Sequence, residues 1–324
     1  FLSSLIETIG FVSLLPLLTI TLNEGDNNFL VNLFKIFFEN LNISFNSINL
    51  MIFIVILFIF KAILVFFQKY FSSIIVKGLR IKLRNDTISL INSISFRYFI
   101  SQSKTYFINP IITEVGRFVT AINNLVKLIF LIISLMIYLP TSFIIDYRFS
   151  IFFYLVCIIF SILGLYITKK TKIYSQNISS QNEKIQSEIT SFINFFGYFK
   201  STNFLKNYSK IIQDENNKLF INEKKIEFNS VFLDTIKEPI AIIVIVSIML
   251  MQLTYFDSNL SNTVVFIVII YKIVLQTLTI PARIQHINSM SGGVDSINNL
   301  HNSIRNNIDK LIQKNDKEKK ISLN

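Results

Sequence analysis

The 324 residues include no tryptophan, one cysteine, two histidines, five prolines and eight glycines. A single cysteine excludes an intrachain disulfide, and Cys157 sits inside an apolar run, where it packs as a small hydrophobe. His286 and His301 have no companions at metal-ligand spacing. The phosphate-cradling pattern Gly-x-x-x-x-Gly-Lys-Ser/Thr is missing, and Gly292-Gly293 is followed by Val294 rather than Lys. No nucleophile, acid–base pair or metal cluster stands out, so the chain reads as neither an enzyme nor a cofactor binder. No basic segment precedes the first apolar run, and Glu7 interrupts it. That argues against a signal peptide and leads us to expect a sequence that begins inside a first membrane helix.

Apolar character is what the chain has in abundance. It is 52% hydrophobic, with a mean hydropathy of +0.53. Several runs are long enough to cross a bilayer. The net charge of +11 would suggest nucleic acid in a soluble protein. Here Lys and Arg collect beside the apolar runs, so the lipid bilayer surface accounts for them and no nucleic-acid partner is expected. The expected class is an all-α membrane protein with six spans, at residues 1–22, 50–67, 119–140, 149–168, 239–255 and 262–280. The second span should continue as an amphipathic helix to about Phe96, and an amphipathic tail should follow the sixth to about Asn315.

Charge sets the orientation. Between spans two and three stand Lys69, Lys77, Arg80, Lys82, Arg84, Arg97, Lys104 and Arg117, against Asp86 and Glu114. The tail is also basic, whereas residues 23–49 hold only Lys35 against Glu24, Asp26 and Glu39. The basic sides should be cytosolic, as should both chain ends.

The stretch 169–232 is long and polar, with no proline and with Gly197 as its one glycine. Ile178, Ile185, Ile189, Phe192, Ile193 and Phe196 recur at helical spacing, as do Phe204, Tyr208, Ile211, Ile212, Leu219 and Ile226. Two long helices joined near residues 197–203 are expected. An extension of ~30 residues would reach roughly 45 Å beyond the bilayer. Two such inward hairpins imply a cytosolic partner that pushes on the spans.

This layout resembles the transmembrane domain of type I exporters of the ATP-binding cassette superfamily over nearly the whole chain. Ile6-Glu7-Thr8-Ile9-Gly10 followed by Leu15-Pro16 looks like the first span of the branch that includes lipid-linked oligosaccharide flippases. Lys61 sits where a basic residue commonly occurs in span two. Tyr98-Phe99 and then Ile111 to Glu114 resemble the first coupling segment, with Thr105 in place of the expected Gly and Pro110 inserted. Gly197-Tyr198-Phe199-Lys200 with Phe204 resembles the approach to the second coupling helix, and Ser291-Gly292-Gly293-Val294 with Leu300 the end of span six.

The resemblance implies a domain over residues 1–315, with 316–324 opening an ATP-binding domain that would hold ATP and Mg2+. It implies a homodimer in a bacterial inner (plasma) membrane. Phe99, Glu114, Lys200, Phe204 and Tyr208 would couple to ATPase domains in the same or a separate chain. The cargo would be amphipathic, with a lipid-linked oligosaccharide as first choice and a peptide or drug as the alternative. A membrane scaffold or receptor without a motor is the rival from another class.

Polar residues inside spans are costly in hydrocarbon and mark a wet pathway or a bundle interior. On this ground Lys61, Lys127, Lys272, Gln276, Arg283 and Glu7 are candidate cavity residues. Thr113, Arg117, Thr120, Asn124 and Lys127 share one helix face, and so do Lys272, Gln276, Thr279, Arg283 and His286. Polar packing between helices, or lysines snorkelling to an interface, accounts for the same pattern. Asp234, Lys237 and Glu238, at the inner edge of span five, fit the second reading.

The layout makes a direct prediction. In a Cys157→Ala background, single cysteines at Ser47 and Ser258 should label from outside, and those at Ser101 and Ser201 only from inside. Labelling of position 201 from outside would overturn the six-span arrangement.

Overall fold

Apolar residues at helical spacing, with few prolines to interrupt them, should leave little but helix. A computed structural model describes residues 1–22, 29–255 and 260–308. It is 91% helical, with no strand among the described residues. Five stretches are long and apolar enough to span a membrane: Leu2–Leu22, Ser47–Ile91, Lys104–Ile145, Tyr147–Asn194 and Ser261–Asn306. They make the chain compatible with an integral, multi-pass membrane protein. Lys237–Tyr255, where a further span was expected, is a separate helix of 19 residues and is not one of the five.

In chain order the helices are α1 (Leu2–Val12), α2 (Leu14–Leu22), α3 (Phe29–Asn40), α4 (Ser47–Ile91), α5 (Phe96–Ser101), α6 (Lys104–Asn109), α7 (Val115–Ile145), α8 (Tyr147–Thr168), α9 (Thr171–Asn194), α10 (Phe196–Ser201), α11 (Leu205–Thr235), α12 (Lys237–Tyr255), α13 (Leu260–Ser289) and α14 (Ser291–Asn306). The contacts divide the chain into two units. One comprises residues 1–73, 126–166 and 232–282, and the other 74–125, 167–231 and 283–324.

In the first unit the core is built from Leu15, Tyr138, Phe153, Ile248, Ile269 and Ile273 among others, all nearly inaccessible. The break between α1 and α2 has a local cause. Pro16 has no N–H to give to the preceding turn, and the Ser13 hydroxyl donates to the Gly10 carbonyl at 2.8 Å. Gly10 also lets α4 approach, since a Cβ there would lie 2.8 Å from the Phe58 ring. Residues 29–40 were expected to be external loop. They form a helix instead, and Phe38 packs on Phe45 and Phe53. The expected end of the third span at Pro140 is also corrected, because α7 runs through this proline to Ile145. The turn beyond it is fastened by side chains: Thr141 donates to the Tyr138 carbonyl, and Ser142 and Tyr154 donate to that of Leu139, at 2.8–2.9 Å.

In the second unit α9 is a polar spine with two working faces. Thr171, Ser175 and Ser179, four residues apart and buried, form a narrow stripe that meets Gln285 of α13, Gly292 of α14 and Arg117 of α7 in turn. Gln181, Lys184 and Glu188 face α11, meeting Asn222, Glu215 and Tyr208. Along α14, Gly292, Gly293, Ile297, Leu300 and Ile304 make the buried face. A Cβ on Gly292 would run into the Ser175 carbonyl oxygen. Pro110 opens a π-helical turn, Pro110–Glu114, closed by the Val115 N–H on the Pro110 carbonyl. One extra residue in the turn lets the helical path continue past a proline that cannot donate.

Gly292→Ala should therefore cost about 1–3 kcal/mol of stability, the usual penalty for overpacking. Gly78, inside α4 with nothing within 4 Å of its Cβ position, is the control. Gly78→Ala should be neutral or stabilise by about 0.5–1 kcal/mol. Thermal melts of the two variants in detergent, followed by size exclusion, check both.

Candidate functional site: a carboxylate between two lysines

In the first unit three of the candidate residues come together. Glu7 is 8% exposed, and a single oxygen, Oε1, takes Lys61 Nζ at 2.9 Å and Lys272 Nζ at 2.8 Å. The groups come from α1, α4 and α13. The approach of α1 to α4 is antiparallel and follows from small or flat partners. Ser3 faces Gln68 at 3.5 Å, Gly10 faces Phe58, and Phe11 packs on Phe58 at 5.7 Å between ring centres. Lys61 Nζ also lies 5.3 Å from the centre of the Phe58 ring, a second electrostatic partner for the ammonium.

Below this trio stands Tyr138, fully buried on α7. Its hydroxyl makes no hydrogen bond of normal geometry among the described residues, and its electrostatic neighbour is the Glu7 carboxylate. Sequence reading missed Tyr138 and Phe58. A signal for Tyr138 was available: the polar face Arg117, Thr120, Asn124, Lys127 continues at the same spacing to Ser134 and Tyr138. Ser134 takes part too, since its hydroxyl donates to Gln276 Oε1 at 2.8 Å. Gln276 is thus tied to α7 and not to the lysines. Lys127 is exposed, and no described residue forms an ion pair with it. Arg283 is half-buried and belongs to the second unit.

The second unit holds a different polar centre. Glu114 is completely buried and pairs with Arg117 at 3.1 Å. Arg117 also donates to Ser175 Oγ at 2.8 Å, to the Ser175 carbonyl at 3.1 Å, to the Ser289 carbonyl at 3.2 Å and to Ser179 Oγ. Ser179 in turn donates to Glu114 Oε2. Glu114, expected among the coupling residues, has no exposed surface in this chain. Of the other polar residues of that face, Thr113 accepts from Gln186 and Thr120 bonds within its own helix. Asp234 and Lys237 form an exposed pair at 2.7 Å.

The turn between α9 and α11 was expected near residues 197–203, with Phe204 at the approach to a second coupling helix. The short helix instead precedes that point, as α10, and residues 205–210 open the long helix α11. The reversal is made by Asn203, at φ 56°, and not by Gly197. The Phe204 N–H reaches the Phe199 carbonyl at 2.8 Å and the Asn203 N–H that of Lys200 at 3.3 Å, the two bonds of a Schellman ending. Asn tolerates the left-handed conformation better than most residues. Phe199 stacks on Tyr208 at 4.4 Å and lies 6.2 Å from Phe204, with Phe192 closing the cluster. Phe204 and Lys200 remain exposed. Phe99, in α5, is exposed and stacks on Phe107 at 5.3 Å.

Two polar ties brace this turn. Tyr208 donates to Glu188 at 2.6 Å, and that carboxylate holds the phenol above its ordinary pKa. Lys184 and Lys218 both reach Glu215 Oε1, at 2.7 and 2.9 Å, and hold its carboxyl below the ordinary value. Compared with models of known protein families and with curated proteins, the chain matches none.

A depressed folded-state pKa fixes the sign of the pH response. The Glu215 contribution is fully present above the unfolded carboxyl value of about 4.3 and is lost as pH falls through the lower folded value. Glu215→Gln should speed hydrogen exchange in residues 181–222 at neutral pH. The difference from the unaltered chain should vanish well below about pH 4. Exchange measured by mass spectrometry at the two pH values checks it.

Proposed function

We propose that the chain is the membrane-spanning part of an ATP-driven exporter of the ATP-binding cassette type, acting as a homodimer. In this reading α12 crosses the membrane with the five apolar stretches, giving six spans with both chain ends in the cytosol. One observation carries the reading. Two polar helical segments each turn through a six-residue helix that keeps aromatic residues exposed, α5 with Phe96 and Phe99, and α10 with Tyr198, beside Phe204. Exposed aromatic rings on charged helices are unusual unless a partner covers them. ATPase domains would meet that need in this reading. ATP and Mg2+ would be held there.

The cycle needs differential contact only. Closure of the motor domains on ATP would move the two tips, and the spans would pass from inward-open to outward-open. The Asn203 turn and the Phe192–Phe199–Tyr208 stack would keep the second tip rigid enough to transmit that movement. The cargo is amphipathic, and the resemblance to lipid-linked oligosaccharide flippases makes a lipid-borne saccharide the first choice.

Reading the gene past Asn324 tests the motor. Roughly 230 further codons containing a phosphate-binding loop support the exporter, and a stop codon with no ATPase gene nearby supports a scaffold or receptor. For the tip, Phe204→Ala should abolish substrate-stimulated ATPase in the assembled transporter while insertion and melting temperature hold. Undiminished transport by that variant would remove Phe204 from the coupling surface.

A further inference from the structure

We propose that the Glu7–Lys61–Lys272 cluster is a binding site for an amphiphile whose head group carries one negative charge, a phosphodiester above all, with Glu7 as its built-in competitor. The inference rests on reading the chain as part of an exporter, and it narrows that exporter's substrate class.

The charge balance comes first. Two ammonium groups face one carboxylate, which leaves one positive charge over. Both lysines meet the same oxygen, Oε1, so the cluster is rich in donors and short of acceptors. Each ammonium carries three N–H groups and the carboxylate is their shared acceptor. The second observation is the Tyr138 hydroxyl. It is inaccessible, and its hydrogen-bonding and electrostatic neighbour is this same carboxylate, which makes it a third donor turned to Glu7. Three donor groups on one carboxylate leave the ammonium groups short of acceptors, and an added anionic oxygen would accept from them.

Access is on the lysine side. The Lys61 and Lys272 side chains keep 22% and 34% of their surface, whereas the Glu7 side chain keeps 10%. An incoming oxyanion would therefore meet the ammonium groups first and take one of them from Glu7. A neighbourhood poor in water strengthens each charge interaction and penalises any charge left unmatched. A single negative charge restores neutrality. A pyrophosphate brings at least one charge too many. A lipid-borne saccharide joined through one phosphate fits this balance, and one joined through two does not.

Native mass spectrometry of the purified chain in dodecyl maltoside tests the site without a motor. The probes are dioleoyl phosphatidylglycerol, dioleoyl phosphatidylcholine, farnesyl pyrophosphate and inorganic phosphate. Phosphatidylglycerol should be retained about tenfold better than phosphatidylcholine and at least as well as farnesyl pyrophosphate. Glu7→Gln raises the site to two positive charges and should shift the ratio toward farnesyl pyrophosphate about tenfold. Lys272→Gln should abolish the preference for phosphatidylglycerol and Lys272→Arg should keep it. Lys61→Gln reaches the same neutral balance from another helix and decides the matter if Lys272→Gln does not fold.

Equal retention of the two lipids, or a Glu7→Gln ratio that does not move, overturns the proposal. Displacement of phosphatidylglycerol by millimolar inorganic phosphate assigns the site to a free anion and overturns the lipid head group. Selective binding by a chain that proves to have no ATPase would sink the exporter and leave the site standing. Loss of selectivity in a proven exporter would do the reverse.

Discussion

A carboxylate removed from water must be answered by a cation or by several donors, and each unit holds such a carboxylate where its helices meet. Glu7 fastens α1 to α4 and α13 through two lysines. Glu114 is held by Arg117 and Ser179, and through Arg117 by α9 and the end of α13. Removing one partner from a buried pair typically costs about 3–5 kcal/mol, because the remaining charge is stranded. Helices that must meet at such points have little freedom to slide. The small residues beside them, Gly10 near Glu7 and Gly293 near Glu114, let the backbones come close enough for the pairing.

The two centres differ in how completely they are answered. Around Glu114 the donors and acceptors interlock, and Arg117 spreads its N–H groups over a carboxylate, two hydroxyls and two carbonyls. Such a closed network favours one arrangement of its helices. Around Glu7 a positive charge is left over. A structural joint gains nothing from surplus donors, whereas a site that must accept and release an anion depends on them. This contrast separates Glu114, placed by the sequence among coupling residues, from Glu7.

Helical character was legible because it depends on local pattern. The apolar runs and the periodicity of 169–232 need no tertiary information. The misreadings came where tertiary contacts override local rules. Pro140 looked like a stop, yet side-chain hydroxyls stabilise the turn that follows it. Residues 29–40 were placed in an outer connection because they lie between two longer apolar runs, and Phe38 and Val31 finding a packed surface makes them a defined helix. At the second turn Gly197 drew attention as the sole glycine, although Asn203 has the left-handed conformation. Lys61, Lys272 and Glu7 were identified one by one from their cost in hydrocarbon. That they share a single oxygen depends on three helices distant in sequence, and no spacing rule encodes it.

Ser175 shows what the close approach of α9 and α14 does to a hydroxyl. The Ser289 carbonyl can only accept, so the Ser175 proton must point to it, at 2.7 Å. The Gly292 N–H and the Arg117 guanidinium can only donate, so they occupy the two lone pairs, at 3.0 and 2.8 Å. A serine hydroxyl has one proton and two lone pairs, and all three are assigned. Its rotor has a single setting. The charge on Arg117 therefore polarises the O–H bond toward the Ser289 carbonyl at the close of α13, and a side chain with no charge of its own passes electrostatic influence from one helix to another.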